Sequence, residues 1–240
     1  MVLTAVGAEY EAVASRLDDR VPVQTAHGTR YEVGELGGEC PCTVYVAEIG
    51  PGNIGAATEV TAAVQAFNPD AVLFVGVGGG LKDDIGIGDV VVATQVHYYE
   101  PGRAEEGEFK ARPLGLQTNH RIGQLARAKA REVPQAVHIK PIAAGEGLVG
   151  SSLSDIAQII NQHYNDSVAV DMESAGVYDA AHRMDVRSLA IRGISDRLDD
   201  KSAGGDATRQ PLAAEAAADF MQRLLTSADA PDAFGRTNAP

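Results

Sequence analysis

The alternation of strand-like and helix-like segments is the feature that most constrains how this sequence can fold. Its clearest example is Ala71–Val75, a continuous apolar run of the kind found in strands buried on both faces. The run follows Ile54–Phe67, a segment rich in small apolar residues that ends at Asn68-Pro69, as a helix would. Because the β-then-α order recurs along the chain, the sequence predicts an α/β protein with helices on both faces of a layered sheet.

The length of 240 residues favours one large domain, and the apolar fraction of 45% is ample for one continuous core. We expect residues 1–226 to form this domain and residues 227–240 to be a flexible tail or the start of a linker. Residues 101–116 are expected to be a long polar connection. The expected strands are Val2–Val6, Thr29–Leu36, Thr43–Ile49, Ala71–Val75, Asp89–Tyr98, Val137–Ala144, Val168–Val170 and Arg187–Arg192. The expected helices are Glu9–Leu17, Ile54–Phe67, His120–Arg131, Ser151–His163, Glu173–Arg183 and Pro211–Leu225.

The charge balance argues against some classes of binding partner. There are 20 Lys and Arg against 33 Asp and Glu, which gives a formal net charge of −13. This argues against binding to nucleic acids or anionic membranes, since both require clustered basic residues. The six histidines and the pair Cys40 and Cys42 lack metal-ligand spacing, so we expect no structural zinc. With no signal-peptide pattern and no apolar run near the ~20 residues of a membrane span, we expect a soluble cytoplasmic protein.

Residues 50–55, Gly-Pro-Gly-Asn-Ile-Gly, match the G-x-G-x-x-G pattern of dinucleotide-binding sites and lie between a strand and a helix. Such sites also need an acidic residue at the end of the next strand, where it holds a ribose. Here the next strand ends at Gly76, and its acidic neighbour, Asp70, lies at its beginning. The pattern therefore indicates a tight strand-to-helix turn more than a dinucleotide site.

A second glycine cluster, Gly76–Gly80, follows directly after the buried strand. Glycines at the carboxyl edge of an α/β sheet let a ligand lie against backbone amides. Carboxylates also follow apolar strands, where solvated charge is not the expected occupant. For any one of them the alternative is a charge at the start of a helix. Together they predict a ligand site at one edge of the sheet, and the carboxylates in question are Glu9, Asp171, Glu173 and Asp196.

Four short motifs of the chain are residues 75–81 (Val-Gly-Val-Gly-Gly-Gly-Leu), 88–92 (Gly-Asp-Val-Val-Val), 170–173 (Val-Asp-Met-Glu) and 192–196 (Arg-Gly-Ile-Ser-Asp). Together these motifs resemble the nucleoside phosphorylase/nucleosidase superfamily, and most closely its 5′-methylthioadenosine/S-adenosylhomocysteine nucleosidases. The resemblance extends from about Val2 to Leu225. It implies a single three-layer αβα domain of phosphorylase/hydrolase-like fold, with a mixed, largely parallel central sheet.

The resemblance also implies an activity and roles for individual residues. The activity is hydrolysis of the N-glycosidic bond of 5′-modified adenosines such as methylthioadenosine or S-adenosylhomocysteine, by a homo-oligomer (a dimer or larger) that uses no metal or organic cofactor. Asp196 would protonate N7 of the departing purine, and Glu173 would accept hydrogen bonds from the ribose hydroxyls. Glu9 matches the glutamate that activates water, with Glu11 as an alternative in a shifted register. The residues expected to bind the substrate are Val77, Gly78, Leu148, Val149, Asp171, Met172 and Ser195.

Two positions depart from the family pattern. Val77 stands where Ser or Thr is common, and Leu148 stands where an aromatic residue stacks on the base. The chain also resembles nucleosidase-type effector domains, whose substrates are adenine nucleotides. A non-catalytic purine-sensing module is a further alternative, because both departures concern substrate contacts.

The chemistry explains why such a site needs two carboxyl groups. Cleavage of an N-glycosidic bond develops positive charge on the ribose and negative charge on the base, so a protonated Asp196 and an ionised Glu9 suit the acid and base roles. The alternative is a phosphate-dependent purine nucleoside phosphorylase, which needs Arg side chains for a phosphate dianion. Clustered arginines are absent from the predicted site, and Glu9 would repel phosphate, so hydrolysis is favoured. Arg192 is expected to be a buried structural partner of a carboxylate.

Overall fold

A computed structural model describes residues 1–106, 108–147, 149–198 and 203–235 of the chain. Its strands are β1 (Val2–Thr4), β2 (Leu17–Gln24), β3 (Arg30–Leu36), β4 (Cys42–Glu48), β5 (Ala71–Gly80), β6 (Val90–Tyr98), β7 (Gly102–Glu105), β8 (Glu108–Ala111), β9 (Leu114–Gln117), β10 (Val137–Ala144), β11 (Ala169–Asp171) and β12 (Arg187–Arg197). Its helices are α1 (Gly7–Ala14), α2 (Asn53–Phe67), α3 (His120–Ala130), α4 (Asp155–His163), α5 (Ser174–Arg183), α6 (Ala203–Leu225) and α7 (Ala230–Phe234).

The strands assemble into one large sheet of order β11-β10-β6-β12-β5-β1-β4-β3-β2, with β9 beside β6. Strands β4, β1, β5 and β12 run parallel, and so do β6, β10 and β11, whereas β12 and β6 are antiparallel. The last residues of β5, Gly79 and Gly80, pair antiparallel with β11, which closes β5, β12, β6, β10 and β11 into a ring. The predicted mixed, largely parallel central sheet is confirmed.

Strand β5 shows why the sheet needs helices on both faces. Val72 and Phe74 pack into a core with α2 and α5, whereas Leu73 and Val75 pack into a second core with α1, α3 and α6. Successive side chains of a strand point to opposite faces, so a continuous apolar strand is stable only when both faces are covered. The expected three-layer αβα arrangement follows from this pattern. No helix in the described part of the chain is both long and apolar enough to cross a bilayer.

The N-terminal region differs from the sequence prediction. The helix expected at Glu9–Leu17 ends at Ala14, and Leu17 begins β2, which was not predicted. Leu17 is buried in β2 but the next five residues are exposed, so the strand lacks the alternation that marks a half-buried strand. Its position at the edge of the sheet also permits Pro22, which cannot donate a ladder hydrogen bond.

The C-terminal residues also differ from the prediction. Part of the expected tail forms α7, and its Ala230, Ala233 and Phe234 are buried in the core shared with α3 and α6. Arg187 at the start of β12 donates a hydrogen bond to the carbonyl of Ala233. Residues 227–235 are therefore packed against the domain, because three apolar side chains are removed from water there. Residues 236–240 of the expected tail lie outside the described residues.

Three further segments differ from the prediction. The polar connection 101–116 contains β7, β8 and part of β9, which extends the sheet beside β6. The helix expected from Ser151 begins at Asp155, where the hydroxyl of Ser154 accepts a hydrogen bond from the Ala157 amide. Helix α6 begins at Ala203, before the predicted start at Pro211, so Pro211 lies inside the helix, where it removes one N–H donor.

Candidate active site

The carboxyl ends of β5, β11 and β12 and the start of α1 surround a cavity of about 250 Å³. A larger cavity of about 710 Å³ lies at the opposite ends of β5 and β12, near Asp70 and Arg187. We consider the smaller one the candidate active site, because convergent ionisable groups mark function better than volume does. Leu148 lies outside the described residues. The other predicted site residues line this cavity, namely Glu9, Val77, Gly78, Val149, Asp171, Met172, Glu173, Ser195 and Asp196.

Glu9 is held in the cavity by three backbone N–H donors. Its Oε2 accepts from the amides of Ala5 at 2.6 Å and Val6 at 3.2 Å, and its Oε1 accepts from the amide of Val77 at 2.7 Å. Gly76 makes room for this arrangement, since a Cβ there would lie 2.3 Å from Oε1. Burial raises the pKa of Glu9, while the Arg192 charge and the three N–H donors oppose this rise. A carboxylate so fixed can act as a base.

Asp196 reaches the cavity through an irregularity in β12. Ile194 pairs with Gly78 and Asp196 pairs with Gly79, so Ser195 is an extra residue in the ladder. Such bulges redirect side chains and occur often beside active sites. Both residues are buried, and the Ser195 hydroxyl donates to Oδ1 of Asp196 at 2.7 Å. Ser195 therefore orients the carboxyl group predicted to be the acid.

Asp171 lies in the lining of the cavity, and its carboxylate oxygens accept hydrogen bonds from other groups of the protein. Oδ1 accepts from the amides of Glu173 and Ser174, and Oδ2 accepts from the Ser174 hydroxyl and from Nε of Arg192 at 2.7 Å. The side chains of the pair are 0% and 1% exposed for Arg192 and Asp171, respectively. The interpretation of Arg192 as a buried carboxylate partner is therefore correct.

Glu173 stands at the N-cap position of α5, between β11 and the start of α2. Its Oε1 accepts from the amide of Gly52 at 3.2 Å, and its Oε2 lies 3.7 Å from Nη2 of Arg192. Burial, followed by the negative charge of Asp171, raises the pKa of Glu173 to about 7, although Arg192 opposes the rise. Near neutral pH this carboxyl group can therefore exist in both protonation states.

Replacing Glu173 with glutamine is expected to change how stability depends on pH. Since folding raises this pKa from 4.5 to about 7, the side chain's contribution is fully present below 4.5 and is lost as pH rises through 7. Glutamine resembles the protonated group at every pH, so the variant should not lose this contribution as the pH rises. The unfolding free energy of the variant, relative to that of wild type, should therefore increase by roughly 2–3 kcal/mol from acidic to mildly alkaline pH. Urea unfolding at both pH values measures the gain. Glu11→Gln, at an exposed position, controls for one lost charge, and equal pH dependence in wild type and Glu173→Gln would contradict the assignment.

The start of α2 explains the G-x-G-x-x-G pattern. Gly50 and Gly52 have φ angles of +78° and +109°, which side-chain-bearing residues rarely adopt, so the tight turn expected there is present. The first amides of a helix favour anions. Here the Gly52 amide binds Glu173, and the Asn53 amide donates to Oε1 of Glu146 at 3.1 Å. Two carboxylates of the protein thus take the place that a pyrophosphate would need.

Several residues at the site were not predicted from the sequence. Ser174 bonds to both Asp171 and Arg192, and Gln210 lines the cavity from α6. Gly76 was included in the glycine platform, but its role as the space for Glu9 was not foreseen. Ser174 directly follows the Met-Glu pair, so a polar residue at that helix start is the available signal. No motif marks Gln210. No group of three or more His, Cys, Asp and Glu side chains in the described part of the chain is arranged as metal ligands.

Known proteins are similar to this chain in sequence and in fold. The 5′-methylthioadenosine/S-adenosylhomocysteine nucleosidase of Haemophilus influenzae is 26% identical over 218 residues, which are 89% of this chain and 92% of that protein. The same enzyme from Neisseria meningitidis, solved in complex with methylthio-immucillin-A, superposes with a TM-score of 0.83 at 24% identity and covers 94% of this chain and 97% of its own. Futalosine hydrolase of Helicobacter pylori superposes with a TM-score of 0.82 at 22% identity, over 93% and 95% of the two chains.

The family follows from a match that is nearly as long as the chain. The sequence profile of the phosphorylase superfamily matches residues 1–228. This range includes the ring of strands, the glycine end of β5 and the four carboxyl groups that line the cavity. The chain belongs to the phosphorylase superfamily.

Proposed function

We propose that this protein is a nucleosidase that hydrolyses the N-glycosidic bond of 5′-modified adenosines such as methylthioadenosine or S-adenosylhomocysteine. The observation that carries the proposal is the position of Glu9. Its carboxylate binds the Val77 amide in the glycine segment and shares one cavity with Asp196. Hydrolysis of a glycosidic bond needs such a pair, one carboxyl group to activate water and another to protonate the leaving group. The adenine specificity and the 5′ group are suggested by the activity named for the Haemophilus influenzae relative.

In the proposed reaction, a water molecule attacks the anomeric carbon of the ribose and Glu9 takes its proton. The bond from that carbon to the base breaks, and Asp196 gives its proton to N7 of the base. The products are adenine and a 5′-modified ribose, and proton exchange with solvent restores Glu9 and Asp196. Glu173 accepts hydrogen bonds from the ribose hydroxyls, and Met172 packs under the sugar. Asp171 also lines the cavity, and because its oxygens are bonded within the protein it supports this arrangement.

The same geometry disfavours phosphorolysis. A phosphate dianion would need backbone amides and cationic side chains. The Val77 amide already binds Glu9, and the lining of the cavity carries four carboxyl groups, while Arg192 behind it is paired with Asp171. A phosphate dianion in this field would be repelled. Water, which is neutral, is the nucleophile that the site accommodates.

The expected result is therefore that adenine and a free 5′-modified ribose form in phosphate-free buffer. Chromatographic analysis of the products from methylthioadenosine, adenosine, S-adenosylhomocysteine and AMP, with and without phosphate, tests this and ranks the 5′ groups. The Asp196→Asn variant is the matched negative control. A sugar 1-phosphate that forms only with phosphate would assign the chain to the phosphorylases, and tight binding without products would favour the purine-sensing alternative. The homo-oligomer and the cytoplasmic location stay predictions.

A further inference from the structure

The guanidinium group of Arg192 is enclosed in the protein and held by three neighbours. It is 0% exposed and lies 4.0 Å above the ring of Phe74. Nε donates to Oδ2 of Asp171 at 2.7 Å, and Nη2 donates to the hydroxyl of Ser174 at 3.2 Å. Nη2 is also 3.7 Å from Oε2 of Glu173, which is too far for a hydrogen bond. The bond to the serine hydroxyl therefore holds Nη2 at this longer distance from Glu173.

Ser174 can do this because of how Asp171 is bonded. An arginine fork normally binds both oxygens of one carboxylate. Here Oδ1 of Asp171 is committed to the amides of Glu173 and Ser174, so only Oδ2 is available to the arginine. The Ser174 hydroxyl donates to that Oδ2, which leaves an oxygen lone pair for Nη2. Asp171 and Ser174 together thus present acceptors to Nε and Nη2, whereas the buried Nη1 has no hydrogen-bond partner in the described part of the chain.

We infer that Ser174 is a positioning residue for Glu173: its hydroxyl holds Nη2 of Arg192 away from Glu173 and so keeps the Glu173 carboxyl group available for the ribose. The part of this inference that concerns ribose rests on the proposed function. Ser174 is fully buried and touches the substrate cavity only through its neighbours. Without the hydroxyl, Oε2 of Glu173, at 3.7 Å, is an acceptor that Nη2 can reach by a small shift of the guanidinium group. Arg192 would then close on Glu173 and draw it from the Gly52 amide.

The charges around Glu173 determine whether the loss of Ser174 raises or lowers the pKa of the glutamate carboxyl group. A closer positive charge favours the ionised carboxylate and lowers its pKa. The loss of Ser174 should therefore move the Glu173 titration below its present pKa of about 7. The groups that face Glu173 are Asp171 on β11, Arg192 on β12, Glu9 on α1, the Gly52 amide at α2 and, through the adjoining Asn53 amide, Glu146.

The first measurement is the titration of Glu173 itself, in the full chain without substrate. Glutamate labelled with ¹³C at the carboxyl carbon gives resonances that NMR can follow through a pH series, and Glu173→Gln identifies the one for Glu173. In Ser174→Ala we expect this group to titrate about one pH unit lower than in wild type. An unchanged or higher titration point would overturn the inference. This readout needs no enzymatic activity, so it stands apart from any failure of the proposed nucleosidase reaction.

The second measurement is kinetic and uses the nucleoside on which the wild type is most active. In Ser174→Ala we expect kcat/KM to fall about tenfold or more, on the scale of one lost hydrogen bond to a charged group. The acidic limb of the plot of kcat/KM against pH should shift to lower pH by the same amount as the Glu173 titration. A loss of activity with the limb in its wild-type place would indicate a merely structural role and would count against the inference.

Two further variants separate positioning from folding. Ser174→Cys keeps the side-chain volume with a much weaker acceptor, so it should reproduce the shift even if the alanine variant is unstable. Ser174→Thr keeps a hydroxyl as the acceptor for Nη2. We expect it to keep the Glu173 titration and most of the activity. No shift in Ser174→Cys, or an equally large shift in a folded Ser174→Thr variant, would contradict the proposed role of Ser174.

Discussion

Replacing Asp196 with asparagine is expected to lower turnover of an adenine nucleoside by about 100-fold or more, the usual scale for loss of a general acid. Asparagine has nearly the same size and can still accept the hydrogen bond from Ser195, so the fold should be kept. A riboside with a 4-nitrophenyl leaving group needs no protonation, and its hydrolysis should be spared by comparison. Steady-state rates for both substrates, with circular dichroism as the check on folding, give the result.

Glu9→Gln is the matched comparison for this experiment. Both substrates still need an activated water at the anomeric carbon, so this variant should slow both to a similar extent. If Asp196→Asn and Glu9→Gln show the same dependence on the leaving group, the assignment of acid and base is wrong. If neither changes turnover, the active site is not in this cavity.

Replacing Gly76 with alanine is expected to reduce turnover by about 100-fold or more although no ionisable group is replaced. The new Cβ would lie 2.3 Å from Oε1, 2.4 Å from Cδ and 2.7 Å from Oε2 of Glu9, which real atoms cannot do. The end of the glutamate side chain is the part that can move, so it should leave the amide of Val77 while the sheet persists. The loss should match that of Glu9→Gln, with a further destabilisation of about 1–3 kcal/mol from the broken buried hydrogen bonds.

Gly55→Ala provides the control for adding a methyl group at a glycine of the same region. Gly55 is exposed in α2, and no atom lies within 4 Å of the place where its Cβ would be. Alanine favours the helix by roughly 0.5–1 kcal/mol over glycine, so this variant should be slightly more stable and fully active. If Gly76→Ala also keeps full activity, the carboxylate of Glu9 is not the base in its present position.

The order of strands and helices and the edge that carries the site could be predicted from the sequence. Ala71–Val75 is apolar on both faces, so it had to be a central strand, and in such sheets ligands bind at the carboxyl edge. Glu173 and Asp196 follow or end strands that belong to this sheet, which is why their convergence was foreseen. The pattern of apolar residues along the chain predicts which residues are buried, and most strands and helices of this fold have a buried face.

Other features depended on pairing between distant segments, which local patterns do not record. The exposed strand β2 carries no hydrophobic alternation, and α7 is held by contacts with α3 and α6. The extension of β5 through Gly80 required β11 as a partner, and the bulge at Ser195 required the register of β12 against β5.

The sequence by itself determined the layered fold and the carboxyl groups of the site, because apolar periodicity and strand ends are properties of short segments. Only the tertiary structure decided how those groups are held. Glu9 accepts a hydrogen bond from the Val77 amide, and Ser174 accepts one from Nη2 of Arg192. Positions 9 and 77, and likewise 174 and 192, are far apart in the chain. Their protonation and orientation follow from contacts that exist only when the sheet has brought its strand ends together and excluded water from between them.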